Sequence, residues 1–140
     1  IFELNRYRTI HVVLDNGKVR EITQVPNIPK ALKMLGMEMK TISCGGTADP
    51  WIQEREQWHS GANFFAFAPG KVMGYERNTH TLEELNKNGF EIITADEVIT
   101  GSKSPDDYTR CVVTIAGSEL ARGGGGARCM TMPLRRKPIG

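Results

Sequence analysis

Cysteine is scarce and scattered: Cys44, Cys111 and Cys129 are the only three in 140 residues. An odd number at such wide spacing argues against a disulfide framework. No CxxC pair occurs and no histidine lies at ligand spacing from a cysteine, so the thiols carry no metal-site signature. Free thiols in a reducing compartment, and hence a cytoplasmic location, are the expectation. Long apolar runs are missing, which excludes a transmembrane helix from the expectation. No basic stretch leads into an apolar one, so no signal peptide is expected. Charge of one sign is missing too: a net charge of +2 is too small to argue for a nucleic-acid partner. The first residue is Ile1 rather than Met, the mark of a processed start or of a piece of a longer chain. The composition, 39% hydrophobic and 24% charged, is that of one ordinary globular domain.

The chain contains a β-β-α-β unit written twice. His11 to Leu14 lead into Asp15-Asn16-Gly17, and Val19 and Ile22 return, a strong hairpin signal. Pro29 suits the first turn of a helix to Leu35, Gly36 stops it, and a strand Met37–Ser43 follows. Further along, Phe64 to Phe67 predict a strand and Ala68-Pro69-Gly70-Lys71 a type II turn, with Val72 to Tyr75 returning. Thr81-Leu82-Glu83-Glu84 reads as a capping box, Gly89 as the helix stop, and Phe90 to Thr94 as a strand. An offset of 53 residues carries Gly17 to Gly70, Gly36 to Gly89 and Thr41 to Thr94. The two units span about 11–43 and 64–94. Repeats of this length point to arrays or propellers, in which one unit cannot bury its apolar faces alone. Between them Asp49 and Pro50 predict the start of a short helix to Trp58, with Glu54-Arg55-Glu56 as its solvated face. Residues 101–107 (GSKSPDD) read as a mobile surface loop, Cys111–Ile115 and Cys129–Leu134 as strands, and Arg135-Arg136-Lys137 as a solvated basic end.

One stretch stands apart: ARGGGGARCM, residues 121–130, places four consecutive glycines between two arginines and just before a thiol. Glycine gives up more conformational freedom on folding than any other residue, so the run is either a loose linker or a backbone brought close to a ligand. A phosphate loop would need GxxxxGK and Ser or Thr opening a helix, and the residues here do not fit. An RGG-type nucleic-acid segment comes in many copies, and this chain has one. A nucleophile loop remains. The attacking species of a cysteine is the thiolate, which the flanking Arg122 and Arg128 would favour, and successive N–H groups of a Gly-rich turn can cradle negative charge. A lone cysteine is more often a small buried apolar residue, the reading given to Cys44 and Cys111. A nucleophilic cysteine also needs a base and an orienting carboxylate. His11, His59 and His80 have no carboxylate two residues away, so the residues alone leave the question open.

The segments SCGGTADPWIQEREQWHSGAN (43–63), FAPGKVMGYERNTHTLEELNKNGFEI (67–92) and SELARGGGGARCMTMPLRR (118–136) resemble the C-terminal part of the arginine deiminase family, within the guanidine-modifying (pentein) superfamily. The combination REQW–G–N, PG–V–Y–RN and GG–RCM–MPL is highly specific, while residues 1–42 match more loosely. The resemblance implies an α/β (α+β) fold of five β-β-α-β modules about a pseudo-fivefold axis. Residues 1–140 would be a partial catalytic domain holding two of those modules, and two cannot close the ring. The resemblance also implies hydrolysis of L-arginine to L-citrulline and ammonia. Cys129 would be the nucleophile, with a covalent amidino–cysteine intermediate, no metal and no organic cofactor. The family's base, a histidine in an H-x-D motif, and its guanidinium-gripping acids would lie upstream. No H-x-D occurs here, so the chain alone is expected to be inactive, and its open edges invite self-association into a homo-oligomer.

Under the same resemblance Arg122, Gly123 and Gly124 are the substrate-binding segment. The family's common RGRGG has become Arg122-Gly123-Gly124-Gly125-Gly126, and Gly124 stands where the family's carboxylate-pairing arginine would be. An arginine clamp on a carboxylate is bidentate and not easily replaced. Gly123 and Gly125 keep a reason to be glycine, whereas Gly124 does not. Residues 98–116 read as an insertion that covers or reshapes the pocket entrance. With that arginine replaced, either Arg122 reaches in, or a segment outside this chain supplies the clamp, or the substrate is another guanidine such as agmatine or a modified arginine; a binding module without turnover is the remaining alternative.

Overall fold

A computed structural model describes residues 9–135, and the last part of the basic end, residues 136–137, lies outside them. Among the described residues the chain is mixed α/β, with two sheets and four helices. It divides into two compact units, residues 1–41 and 42–140.

In the first unit β1 (Thr9–Asp15) and β2 (Lys18–Val25) pair antiparallel, from Thr9 opposite Val25 to Asp15 opposite Lys18. The two turn residues Asn16 and Gly17 both have positive φ, 51° and 75°, the conformation a tight two-residue hairpin requires. Helix α1 (Ile28–Met34) has Pro29 in its first turn, as expected, and Asn27 caps it, its side chain accepting from Lys30 N. Gly36, at φ 79°, ends it. The expected strand Met37–Ser43 does not form. A strand exists only through backbone partners, and these residues pair with no other among those described.

The second unit is built on a four-stranded sheet in the order β3-β4-β6-β5. Strands β3 (Phe65–Ala68) and β4 (Lys71–Tyr75) form a hairpin around Pro69-Gly70, with Gly70 at φ 73°. Helix α3 (Thr79–Lys87) then leads to β5 (Glu91–Thr94). Gly89 ends this helix at φ 86°, and Phe90 N closes on Leu85 O. Strands β4 and β5 leave a one-strand gap that β6 (Cys111–Ile115) fills, parallel to both. Each sheet face has its own apolar cluster. Val112 packs with Leu82, Leu85, Phe64 and Phe90, whereas Cys111 and Val113 point the other way, to Ile93, Val98 and Tyr108. A parallel strand buried on both faces reads as a continuous apolar run, which CVVTI is.

The end of the stretch 98–116, the five residues of β6, is thus core sheet rather than a cover over a pocket. The rest is held by local bonds. It carries the end of helix α4 (Ala95–Ile99), which has a Thr94–Glu97 capping box, and a 3-10 turn at Pro105–Asp107 capped by Ser104. Lys103 pairs with Glu97 at 3.1 Å and Lys71 with Asp106 at 2.7 Å, so residues 101–107 are tied down at several points. The capping box expected at Thr81 is absent as well: α3 begins two residues earlier, and Thr81 lies inside its first turn.

Candidate active site

Helix α2 (Pro50–Trp58) starts where the sequence indicates, with Asp49 accepting from Trp51 N at 2.8 Å. Its burial is inverted. Trp51 and Trp58 are 78% and 82% exposed, while Glu56, read as part of a solvated face, is 1% exposed. The reason lies in α3. The first N–H groups of a helix have no partner within it, and Asn78, the N-cap residue, makes no side-chain cap bond: its Nδ2 donates to His59 O, and its buried Oδ1 accepts from no group among the described residues. The Glu56 carboxylate supplies the partner instead, from 25 residues upstream. It accepts from His80 N at 3.0 Å, Thr81 N at 2.8 Å and the Thr81 hydroxyl at 2.6 Å. A carboxylate at a helix N-terminus also meets the favourable end of the helix dipole. Thr81 Oγ1 in turn accepts from Gly45 N at 2.8 Å and contacts Cys44 Sγ at 3.4 Å.

This buried cluster fixes the chain that leaves α2. Gly61 N donates to Glu56 O at 2.8 Å. A Cβ on Gly61 would lie 2.7 Å from Cys44 Sγ and 2.8 Å from Glu56 O, so only glycine fits. Asn63 N then donates to Ser60 O at 3.0 Å. With its backbone set, Asn63 reaches across the molecule: its Nδ2 donates to Cys129 Sγ at 2.9 Å.

The glycine run approaches the same point from the other side. A 3-10 turn, Leu120–Gly123, ends at Gly124 with φ 81°. Gly125 O accepts from the Tyr75 hydroxyl at 2.9 Å, and the Tyr75 ring lies on Gly117, which has no side chain to hold it off. Arg77 donates to Ser118 O. Gly126 is buried against Asn63, whose Cβ would be 2.5 Å from any Cβ placed there. A turn with Met130 N on Gly126 O then presents Cys129 to solvent. No strand forms over Cys129–Leu134: Met130 N and Thr131 N close local turns on Gly126 O and Arg128 O, and the segment joins no ladder among the described residues.

The roles expected along the glycine run are therefore redistributed. Gly124 does have a reason to be glycine, its left-handed backbone, whereas Gly123 has ordinary φ and open space around it. Gly125 sits close, with Met130 Sδ 3.2 Å from where a Cβ would be. Arg122 is turned to Glu119 at 3.0 Å in a pair exposed on both sides, an attachment of little strength. Arg128 lies over the Phe65 ring at 6.0 Å and acts on the thiol through its charge.

The Cys129 thiol is held below its ordinary value. The Asn63 hydrogen bond is the main cause, and the Gly126 backbone, the Arg128 charge and the backbone of Cys129 itself add to it. Cys44 and Cys111 go the other way, pushed up by burial. An exposed thiol held toward the anion beside two inert buried ones is the pattern of a nucleophile among structural cysteines. None of the histidines completes a dyad here: His59 Nδ1 bonds to Arg55 O at 2.7 Å, His80 faces Glu83 at 3.9 Å, and His11 lies in β1 opposite Thr23. Among the described residues no group of three His, Cys, Asp or Glu is close enough to hold a metal ion, and no helix is long and apolar enough to cross a membrane.

Sequence reasoning gave Asn63 and Tyr75 no role and took Glu56 for a solvated residue, yet all three shape the surroundings of Cys129. Their signal was present in the quoted patterns, since they are the N of REQW–G–N, the Y of PG–V–Y–RN and the E of REQW. Comparison with known proteins agrees with those patterns. Residues 4–136 match the family model described as arginine deiminase. The chain is 38% identical over 133 residues to an arginine deiminase of Mycoplasma capricolum, a match covering 90% of this chain and 28% of that protein. It is 38% identical over 120 residues to one of Mycobacterium avium, covering 85% of this chain and 24% of that protein. The chain thus spans about a quarter of the length of the curated relatives it matches.

Proposed function

Because the chain belongs to the arginine deiminase family, we propose that the full-length protein hydrolyses L-arginine to L-citrulline and ammonia, with Cys129 as nucleophile. The observation that carries this reading is the exposed Cys129 sulfur, bonded to Asn63 and held toward the thiolate. The thiolate attacks the guanidinium carbon and a C–S bond forms. With a proton taken up by the leaving nitrogen, ammonia departs and an amidino thioether remains. Water adds to the same carbon, the C–S bond breaks with its electron pair going to sulfur, and the ureido group of citrulline results. No metal and no organic cofactor enters these steps. The proton shuttle and the acids that grip the guanidinium come from outside these 140 residues, as do the remaining modules of a pseudo-fivefold ring. The 53-residue offset supports the module reading, since Gly17 with Gly70 and Gly36 with Gly89 adopt matching left-handed conformations.

Cys129→Ala in the full-length protein is expected to abolish citrulline formation. Turnover close to that of the unaltered protein would end the proposal.

A second reading keeps the chemistry and changes the substrate. Gly124 carries no side chain and Arg122 is turned to Glu119, so neither of these two positions extends a guanidinium toward a substrate α-carboxylate. The same assay run on agmatine decides it: a higher kcat/KM for agmatine than for arginine favours a decarboxylated guanidine, and a lower one removes this reading.

A further inference from the structure

Among the sulfur contacts of this chain one is unlike the others. Cys44 Sγ lies 3.4 Å from Thr81 Oγ1 and Cys111 Sγ 4.0 Å from Pro105 O, ordinary contacts of neutral thiols. Cys129 Sγ lies 2.9 Å from Asn63 Nδ2. Hydrogen bonds shorten and strengthen when one partner is ionised. The donor is also of a particular kind, because a carboxamide N–H gives a hydrogen bond without titrating, so it cannot take the sulfur's proton or lend one to it.

The approach is built rather than incidental. Gly126 leaves the space that Asn63 occupies, and the Ser60 carbonyl fixes the Asn63 backbone. The Asn78 amide holds the neighbouring His59 carbonyl, and the buried Glu56–Thr81–Cys44 cluster anchors the end of α2. On the other side Tyr75 fixes Gly125, next to Gly126. Two segments 66 residues apart are thus each braced independently, and they meet at one nitrogen and one sulfur.

We propose that Asn63 is a catalytic residue that donates to the Cys129 sulfur and holds it, at the place Gly126 sets, as the anion that attacks. The inference rests on the deiminase reading and deepens it. The same bond serves twice. Before attack it stabilises the thiolate. When the C–S bond of the amidino thioether breaks, the electron pair returns to a sulfur that again finds this donor, so Asn63 assists the leaving group. Of the charged groups, Arg128 acts on the sulfur, while Arg122 and Glu119 engage each other and the Tyr75 hydroxyl is spent on Gly125.

The test is the pH profile of Cys129 alkylation by iodoacetamide, read by peptide mass spectrometry in the full-length protein without substrate. Asn63→Asp keeps the shape and replaces the donor by a carboxylate. Its profile is expected to move to higher pH, with alkylation at neutral pH roughly tenfold slower or more, the size of one lost hydrogen bond to a charged group. Asn63→Ala is expected to move in the same direction by less, and Arg128→Ala less again. A merely structural role predicts the opposite ranking, with the isosteric Asp nearest to native. An Asn63→Asp profile that coincides with the native one overturns the proposal. Where a variant does not fold by circular dichroism, the unaltered protein decides: the Asn63 side-chain amide resonance must shift with the alkylation midpoint, and an amide that does not move overturns the proposal. The outcome is separable from the deiminase reading, since citrulline formation surviving Cys129→Ala sinks that reading whatever the alkylation profile does.

Discussion

Three glycines of the run behave differently as single residues, and substitution separates them. Gly126→Ala would push a methyl into Asn63. It is expected to cost about 1–3 kcal/mol, the usual range for overpacking a tight site, and to shift Cys129 alkylation to higher pH as Asn63→Ala does. Gly124→Ala meets open space but a left-handed backbone, for a cost of about 1 kcal/mol. Gly123→Ala has neither obstacle and is expected to be neutral or to stabilise by about 0.5 kcal/mol through the unfolded chain. Urea unfolding of the three variants checks the order, and equal costs would show that the backbone assignment of the run is wrong. The sign of the thiol's own contribution follows from its direction. A lowered value in the folded state stabilises the fold at pH above the ordinary thiol value, and that contribution is lost as pH falls through the lowered one. Cys129 stood out in the sequence as a candidate, because glycine, arginine and a thiol in one run carry a local signal, while its role came only from the resemblance. Asn63 and Glu56 did not stand out, since their partners lie 66 and 25 residues away and no local rule reaches that far.

At the scale of elements, punctuation was readable and pairing was not. Asn16-Gly17, Pro69-Gly70, Gly36 and Gly89 mark turns and helix ends because each requires a backbone only certain residues adopt easily. The start of α3 was misplaced because its cap comes from another helix. The strands read at Met37–Ser43 and Cys129–Leu134 failed because strand propensity forms no ladder without a neighbour. β6 was readable as apolar yet not as the centre of the sheet, since strand order depends on contacts far apart in sequence. The segment before β6 supplies a prediction. Lys71 lowers the Asp106 carboxyl, chiefly by its hydrogen bond, so the tie it makes to the Pro105–Asp107 turn is complete above the ordinary carboxylate range. It is lost as pH falls through the lowered value. Amide exchange, corrected for its intrinsic pH dependence, is therefore expected to lose protection at Asp107 and Tyr108 in that acid range before β6 does. Simultaneous loss would show that the tie is immaterial.

Taken whole, the chain brings the proposed nucleophile and its platform but no acid–base partner for it among the described residues. The isolated 140-residue chain is therefore expected to form no citrulline from arginine, and measurable turnover would refute this. Strands β3 and β5 stand at the two sides of the larger sheet, their outer edges unpaired among the described residues, and Ile10, Leu14 and Ile22 of the smaller hairpin are exposed. Such surfaces favour association of the isolated chain. The inverted burial of α2 has a practical consequence for anyone following the unfolding of this chain. Trp51 and Trp58 are its only two tryptophans, and both already face solvent in the fold. Their emission is water-like before denaturant is added and stays so afterwards. Intrinsic tryptophan fluorescence is thus expected to be nearly blind to the collapse of the sheet, and a red, quenchable spectrum from this chain is no sign that the native state has been lost.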